Sequence, residues 1–161
     1  GYKDPNVTDV NFCYLRYADV VLMAAEAYNE TDNTPEAWKL LNSVRKRAGA
    51  REITTANYTE LMKEKVYKLN FISDGDDAGK FRTALYWERG FELAFEGQRK
   101  YDLIRWGIIK EALTLFSNRS SVKSTYPAGD NFQKGKHELF PIPLDELQLN
   151  PMFENKNNPN Y

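Results

Sequence analysis

Between residues 13 and 29 the chain carries two apolar stripes, and this feature constrains its fold more than any other. Leu15, Ala18, Leu22 and Ala25 form one stripe, and Tyr17, Val21, Ala24 and Tyr28 form the other, both at three- and four-residue steps. That spacing predicts a helix, and two stripes predict a helix buried between two neighbours, its alanines allowing close approach. Residues 29–33 form a polar break. Thr34 then suits an N-cap, Pro35 the first helical position and Glu36 the positive end of the helix dipole. Ala37, Leu40, Leu41, Val44 and Ala48 share one face of this second helix, and Gly49 is its predicted stop. A short loop between two amphipathic helices predicts an antiparallel hairpin over residues 13–48.

The alanine-rich first helix, followed by a helix that opens Pro-Glu-Ala-Trp, is similar to a tetratricopeptide unit, although no clean internal repeat extends it into an array. Further helices are predicted over 58–116. The first runs from Tyr58 to Leu69, with Leu61, the Lys65 stem, Val66 and Leu69 inward. A loop rich in Asp and Gly spans 73–80, and helix returns over 83–95, breaks near Gly97 and resumes over 99–116. Residues 117–136 turn polar and read as a long surface loop. Two prolines make Leu139–Pro143 a short extended piece. Asp145 can cap one more helical turn through Leu149, and the Asn- and Pro-rich tail from Asn150 is predicted as coil. The expected fold is mainly α: tetratricopeptide-like helical hairpins with long loops and an irregular C-terminal tail. A chain of 161 residues fits one domain.

The bulk numbers exclude several classes. Lys plus Arg is 22 against 23 for Asp plus Glu, a net charge of −1, where a nucleic-acid binder needs a basic excess or stripe. No block of like charge suggests a membrane-surface patch. Cys13 is the only cysteine, which excludes an internal disulfide and any CxxC motif. Its place between Phe12 and Tyr14 predicts a buried small apolar residue. His137 is the only histidine, so a zinc site is unpromising. No signal peptide is seen, nor any run near the ~20 apolar residues of a membrane helix. Gly1-Tyr2-Lys3 does not resemble a natural start, so targeting signals are expected upstream. No cofactor is expected. Aromatics reach 14%, more than a plain helical bundle needs, so some are expected to face a ligand or partner.

The most specific pattern begins at Glu88. Glu88, Glu92 and Glu96 recur every four residues and so predict one line of carboxylates on a helix face. Arg89 lies beside the line, and Arg99, Asp102 and Arg105 continue at three-residue steps. Phe91, Ala94 and Phe95 read as the apolar face. Paired carboxylates could hydrolyse a glycosidic bond. They could also bridge a metal pair, but that design needs Glu-x-x-His motifs, which do not occur here. The favoured reading is structural: the acids pair with the arginines that follow and lock two helices across the Gly97 corner, because uncompensated acids on one face would repel.

The run ERGFELAFEGQRKYDLIRWG, Glu88 to Gly107, resembles the ER-x-x-EL-x-FEG-x-R-x-x-DL-x-RWG signature of the SusD/RagB family. LRYADVVLMAAEAYN at 15–29 is similar to the family's tetratricopeptide-like helix, and LLNSVRKRAGA at 40–50 to its LN-x-VR-x-RAG segment. LFPIPLDELQLNPMFENKNNPNY, with its FPIP turn and Asn-Pro ending, closes the chain in the family's manner. The departures are small. Tyr161 follows Asn160 where Gly is usual, Lys100-Tyr101 stands where aromatics are frequent, and residues 58–82 form a longer stretch than is typical. The resemblance implies a C-terminal portion of a surface lipoprotein of the Gram-negative outer membrane, one that captures oligosaccharides and works with a SusC-like TonB-dependent transporter. It implies a binding protein and no enzyme. Cys13, inside a predicted helix, does not match the family's lipid-anchoring cysteine.

The family's glycan-stacking aromatics share no motif and cannot be carried over by position. On physical grounds, sugar rings stack their C–H faces on exposed aromatics while amides and acids hold the hydroxyls. Tyr126, Asp130, Asn131 and Phe132 in the polar loop, near Gln133, are therefore the candidate ligand residues, against the plainer reading of loop aromatics packed on their own scaffold. Trp87 and Trp106 fall within apolar helices and are read as core. Asp74 to Gly79 only faintly resembles a calcium loop, since Leu85 stands where Glu is required. Gly75 to Lys80 is one residue short of a phosphate-binding loop. Four Asn-x-Ser/Thr sites, at Asn6, Asn29, Asn57 and Asn118, carry no weight in an Asn-rich chain. Two other functions compete with glycan capture: a tetratricopeptide-like module that binds only another protein, and a hydrolase built on the three acids.

Overall fold

Helix α1 (Tyr17–Glu30) and helix α2 (Thr34–Arg47) form the hairpin, and the long helix α4 (Asp77–Glu92) packs against both. The computed structural model describes residues 13–64, 67–118, 127–154 and 156–161. Lys65, Val66 and Tyr126 lie outside them. The remaining helices are α3 (Tyr58–Leu61), α5 (Arg99–Arg105), α6 (Ile109–Ser117), α7 (Ala128–Asn131) and α8 (Leu144–Leu149), followed by a 3-10 turn at Pro151–Phe153. All regular secondary structure among the described residues is helical, so the fold is mainly α with a tetratricopeptide-like hairpin. The chain divides into two compact units, Gly1–Arg99 and Lys100–Tyr161.

The first unit is organised around the two hairpin helices and α4. Leu22, Ala25, Ala37, Leu41, Phe81, Ala84 and Leu85 are buried almost completely, and Trp38 meets Phe81 edge-on with ring centroids 5.1 Å apart. Only one side of α1 is filled, however. Ala18, Val21, Leu22 and Ala25 are buried, whereas Tyr17 is 83% exposed and Tyr28 42% exposed, so the second stripe is buried only at Val21, and Leu15 of the first stripe is exposed as well. The hairpin turn places Asn33 at the cap position and Thr34 within α2, and the Thr34 hydroxyl donates to Asn29 Oδ1 at 3.0 Å instead of capping the helix. Asn29, itself buried, reaches the Ala78 carbonyl on α4 at 3.4 Å. At the other end of α2, Gly49 N–H bonds Lys46 O at 3.1 Å and Ala50 N–H bonds Arg45 O at 2.9 Å, the paired bonds of a Schellman stop.

Asn42 holds the chain that leaves the hairpin. Its amide donates to Ile53 O at 2.7 Å and accepts from Ile53 N–H at 2.8 Å, so one side chain satisfies both backbone groups of a buried residue. The predicted third helix is a single turn, with Tyr58 and Met62 as its buried positions. Beyond it the chain follows aromatic packing and not helical periodicity. Tyr67 meets Trp87 edge-on at 5.4 Å, Phe71 meets Tyr86 at 5.9 Å, and Trp87 Nε1 donates to Tyr67 O at 3.0 Å.

Helix α4 starts well before the expected Thr83. Asp76 caps it by accepting from Gly79 N–H at 2.7 Å, a signal present in the sequence but read as loop. Gly79 stands there because a Cβ at that position would lie 2.0 Å from Ser73 O. The predicted helix over 99–116 is two helices. Gly107, at φ +69°, closes α5 with bonds Gly107 N–H to Ile104 O and Ile108 N–H to Leu103 O, a conformation glycine adopts without strain. Cys13 is exposed, not buried, because α1 begins only at Tyr17.

In the second unit α6 packs on α7, where Gly129 N–H donates to Ser117 Oγ at 3.0 Å. The predicted loop thus contains a helical turn. Helix α8 begins at Leu144, after Pro143, so Asp145 lies within it and is not its cap. The Asn-rich tail is tied back onto the proline stretch. Asn157 accepts from Ile142 N–H at 2.8 Å and donates to Ile142 O at 3.2 Å, Asn158 donates to Phe140 O at 2.7 Å, and the Tyr161 hydroxyl donates to Leu139 O at 3.0 Å. A proline-interrupted segment cannot build a full strand ladder, and these side chains take the ladder's place.

Replacing Asn42 by Ala leaves the Ile53 N–H and C=O without partners in a dry site. The expected loss is about 2 kcal/mol, read as a lowered urea midpoint with unchanged m-value.

Candidate functional site

The carboxylate line forms on α4 only at Glu88 and Glu92, since the helix ends there and Glu96 lies in the turn beyond. The partners of all three acids come from the chain that precedes them. Glu88 receives Arg45 Nη1 at 2.5 Å. Glu92 receives Arg16 Nη1 at 2.6 Å and also Arg47 Nη2. Glu96 receives Arg16 Nε on both oxygens, at 3.0 and 2.7 Å, while Arg16 Nη2 bonds the Glu92 carbonyl. Arg89, beside that line, meets Asp19 of α1 at 2.8 Å, both side chains nearly inaccessible.

The expectation that these acids pair with Arg99 and Arg105 is therefore corrected. Helix α4 ends at Glu92, and the chain reverses through Phe95 (φ +65°) and Gly97 (φ +79°). Arg99 then runs back over α4, donating to Tyr86 O at 2.8 Å with its guanidinium 3.9 Å from the centre of the Tyr86 ring. In the second unit Arg105 bonds the buried Asp102, at 3.1 and 3.0 Å. Phe91 and Phe95 are exposed, and Leu93 is the buried residue of that turn.

Physical reasons favour this arrangement. Glu92 ends α4 and Glu88 lies one turn before it, both toward the negative end of its dipole, where carboxylates need cations. Arg45 and Arg47 occupy the last turn of α2, and Arg16 precedes α1. The network thus ties three helix ends together. Burial raises the Glu88 carboxyl above its ordinary pKa, the Arg45 contact offsets part of that rise, and the charge of Glu92 adds to it. Carboxylates engaged this way serve as anchors for guanidinium groups.

The candidate ligand loop is brought together only in part. Asp130 and Asn131 are exposed on α7. Phe132 is buried, its ring edge-on to His137 at 5.7 Å, while Gln133 N–H donates to His137 Nδ1 at 3.0 Å. It offers no stacking face, and the plainer reading holds for it, because the chain turns its ring inward beneath α6. A cavity of about 30 Å³ beside Phe132 has room for about one water and not for a sugar ring. Trp87 is half-buried among Tyr67, Tyr86 and Phe91, and Trp106 is half-buried under the Arg105 guanidinium at 4.8 Å. Among the described residues no cluster of His, Cys, Asp and Glu is arranged to hold a metal, and no helix is long and apolar enough to cross a membrane.

Arg45→Ala should cost about 3–5 kcal/mol at neutral pH, since it leaves Glu88 charged, buried and unpaired. The folded state holds the Glu88 proton more tightly than the unfolded chain, so stability contributed by this group falls as pH rises through the mildly acid range. The penalty of the variant should accordingly shrink at the acid end of that range, where Glu88 is protonated. Urea titrations of both proteins across mildly acid to neutral pH measure the difference.

The SusD family model matches residues 1–161. SusD-like protein P25 of Formosa agariphila is 39% identical over 143 residues, covering 89% of this chain and 23% of the relative. SusD-like protein P2 of the same organism is 33% identical over 155 residues, covering 96% of this chain and 26% of the relative. The chain thus spans about a quarter of the length of these relatives. No solved structure gives a significant match. With the family model running through the hairpin, the arginine-clamped acids and the Asn-tied tail alike, the chain belongs to the SusD family.

Proposed function

We propose that this chain is the helical scaffold of a glycan-capture protein, a surface lipoprotein of the outer membrane that binds an oligosaccharide and delivers it to a SusC-like TonB-dependent transporter. Family membership over the whole chain carries the reading. The proposed role is binding without catalysis. The engagement of Glu88, Glu92 and Glu96 by Arg45, Arg16 and Arg47 supports it, because a general acid or nucleophile must be free to approach a glycosidic bond. Polar ligand contacts are proposed at Tyr126, Asp130 and Asn131, with Phe132 serving as their packed support.

One observation favours a protein-binding reading of the hairpin itself. A groove of about 310 Å³ runs along Arg16, Tyr17, Val21, Ser43, Val44 and Arg47, and the neighbouring α1 surface exposes Tyr17, Val20 and Met23. Under this reading Tyr17→Glu weakens capture of a partner protein and leaves sugar binding untouched.

The two readings separate by calorimetry of the intact protein against an oligosaccharide panel. Enthalpy-driven binding to one glycan is expected, and flat titrations throughout would sink the glycan reading. Replacing Glu88, Glu92 and Glu96 together by Gln should lower the melting temperature, while any folded fraction keeps its sugar affinity. Loss of a glycan-cleaving activity in that variant would instead revive the hydrolase.

A further inference from the structure

A second cleft, of about 380 Å³, lies in the first unit and is lined by Tyr58, Met62, Tyr67, Leu69, Asp74 and Thr83. Its volume falls at the small end of ligand pockets, roughly 300–1,000 Å³, suited to a small ring and not to a large ligand. The chemistry of its wall is mixed. Met62, Leu69 and the Tyr67 ring supply apolar surface, and Tyr67 is braced from behind by Trp87 at 5.4 Å and Phe91 at 6.3 Å. The Tyr58 hydroxyl donates to Asp74 Oδ2 at 3.1 Å, leaving the other carboxylate oxygen of Asp74 at an exposed position. Burial, joined by the charge of Asp74 and partly offset by the nearby Thr83 hydroxyl, pushes the Tyr58 phenol up to about 12, so it remains a proton donor at neutral pH.

The telling group is Thr83. Its side chain is 3% exposed, and although it approaches the Tyr58 hydroxyl, Oγ1 has no partner of hydrogen-bond geometry among the described residues. A buried hydroxyl left unpaired is destabilising, and native structures rarely tolerate one without a reason. Mid-helix threonines commonly bond back to a carbonyl of the preceding turn, and this one does not. A hydroxyl donor and acceptor, a carboxylate and a braced aromatic ring facing one small cleft form the complement of a polyhydroxylated ring. The ring's C–H face packs on the apolar wall while its hydroxyls meet Asp74 and Thr83.

We infer that this cleft seats a single sugar residue, held by Thr83, Asp74 and Tyr67; the inference rests on the glycan-capture reading and adds to it a site away from the 126–132 loop. The experiment uses the intact protein titrated calorimetrically with tetrasaccharides built on glucose, galactose, mannose, xylose and uronic-acid units, alongside melting curves. Thr83→Val keeps the shape and removes the orphaned hydroxyl. It should weaken binding about tenfold, the effect of one lost hydrogen bond, while the ligand-free melting temperature stays level or rises. Asp74→Asn and Tyr67→Leu should weaken the same binding. Unchanged affinity in all three variants overturns the site and leaves glycan capture standing. A Thr83→Val protein that loses affinity only in step with its melting temperature also overturns it, since the hydroxyl would then be structural. If the unaltered protein binds none of the tetrasaccharides, the parent reading falls and this site falls with it.

Discussion

The ends of α1, α2 and α4 meet at one cluster of opposite charges, and the first unit depends on that meeting. Arg16 bridges Glu92 and Glu96, Arg47 joins it on Glu92, and Arg45 holds Glu88 a turn earlier. Glu88 and Glu92 are largely removed from water, so the attraction works against a considerable desolvation cost. The value of such a network lies in specificity as much as in stability. An apolar core of Leu22, Leu41, Phe81 and Leu85 would tolerate sliding of α4 along the hairpin, whereas directional guanidinium–carboxylate contacts tolerate little. Arg89 and Asp19, both nearly inaccessible, add a further fixed contact between α4 and α1.

A second device recurs where the chain leaves regular structure. Asn42 brackets the backbone of Ile53 in the first unit, and Asn157 brackets that of Ile142 in the second. An amide offers a donor and an acceptor side by side, as a peptide group does, and can therefore replace a strand neighbour. This gives the Asn-rich tail a physical role. In the proline-interrupted stretch Leu139–Pro143, carbonyls remain that no helix or sheet would satisfy, and the tail supplies partners for them.

What was legible in the sequence follows from the range of the forces involved. The hairpin was readable because stripe spacing, the proline at the start of α2 and the glycine after it act within a few residues. The early start of α4 was also written locally, in Asp76 and Gly79, but glycine near aspartate resembles a loop until the close approach of Ser73 is seen. The single turn of α3 had no local sign. Its continuation is governed by Tyr67 and Phe71 reaching rings on α4. The candidate loop was legible in composition but not in orientation, so the inward turn of Phe132 could not be read in advance.

The acids from Glu88 onward show the division most clearly. Four-residue spacing alone determined that Glu88 and Glu92 would share a helix face and need cations, since like charges so placed repel. The sequence alone also carried the family, through motifs spread along the chain. Which cations answer those acids was decided only by tertiary structure. Arg16, Arg45 and Arg47 lie dozens of residues upstream, and only the packing of α4 against the hairpin brings them within reach. The same holds for the cleft around Thr83. A threonine within a helix is ordinary in sequence, and its unpaired hydroxyl exists only because packing buries it facing Tyr58 and Asp74.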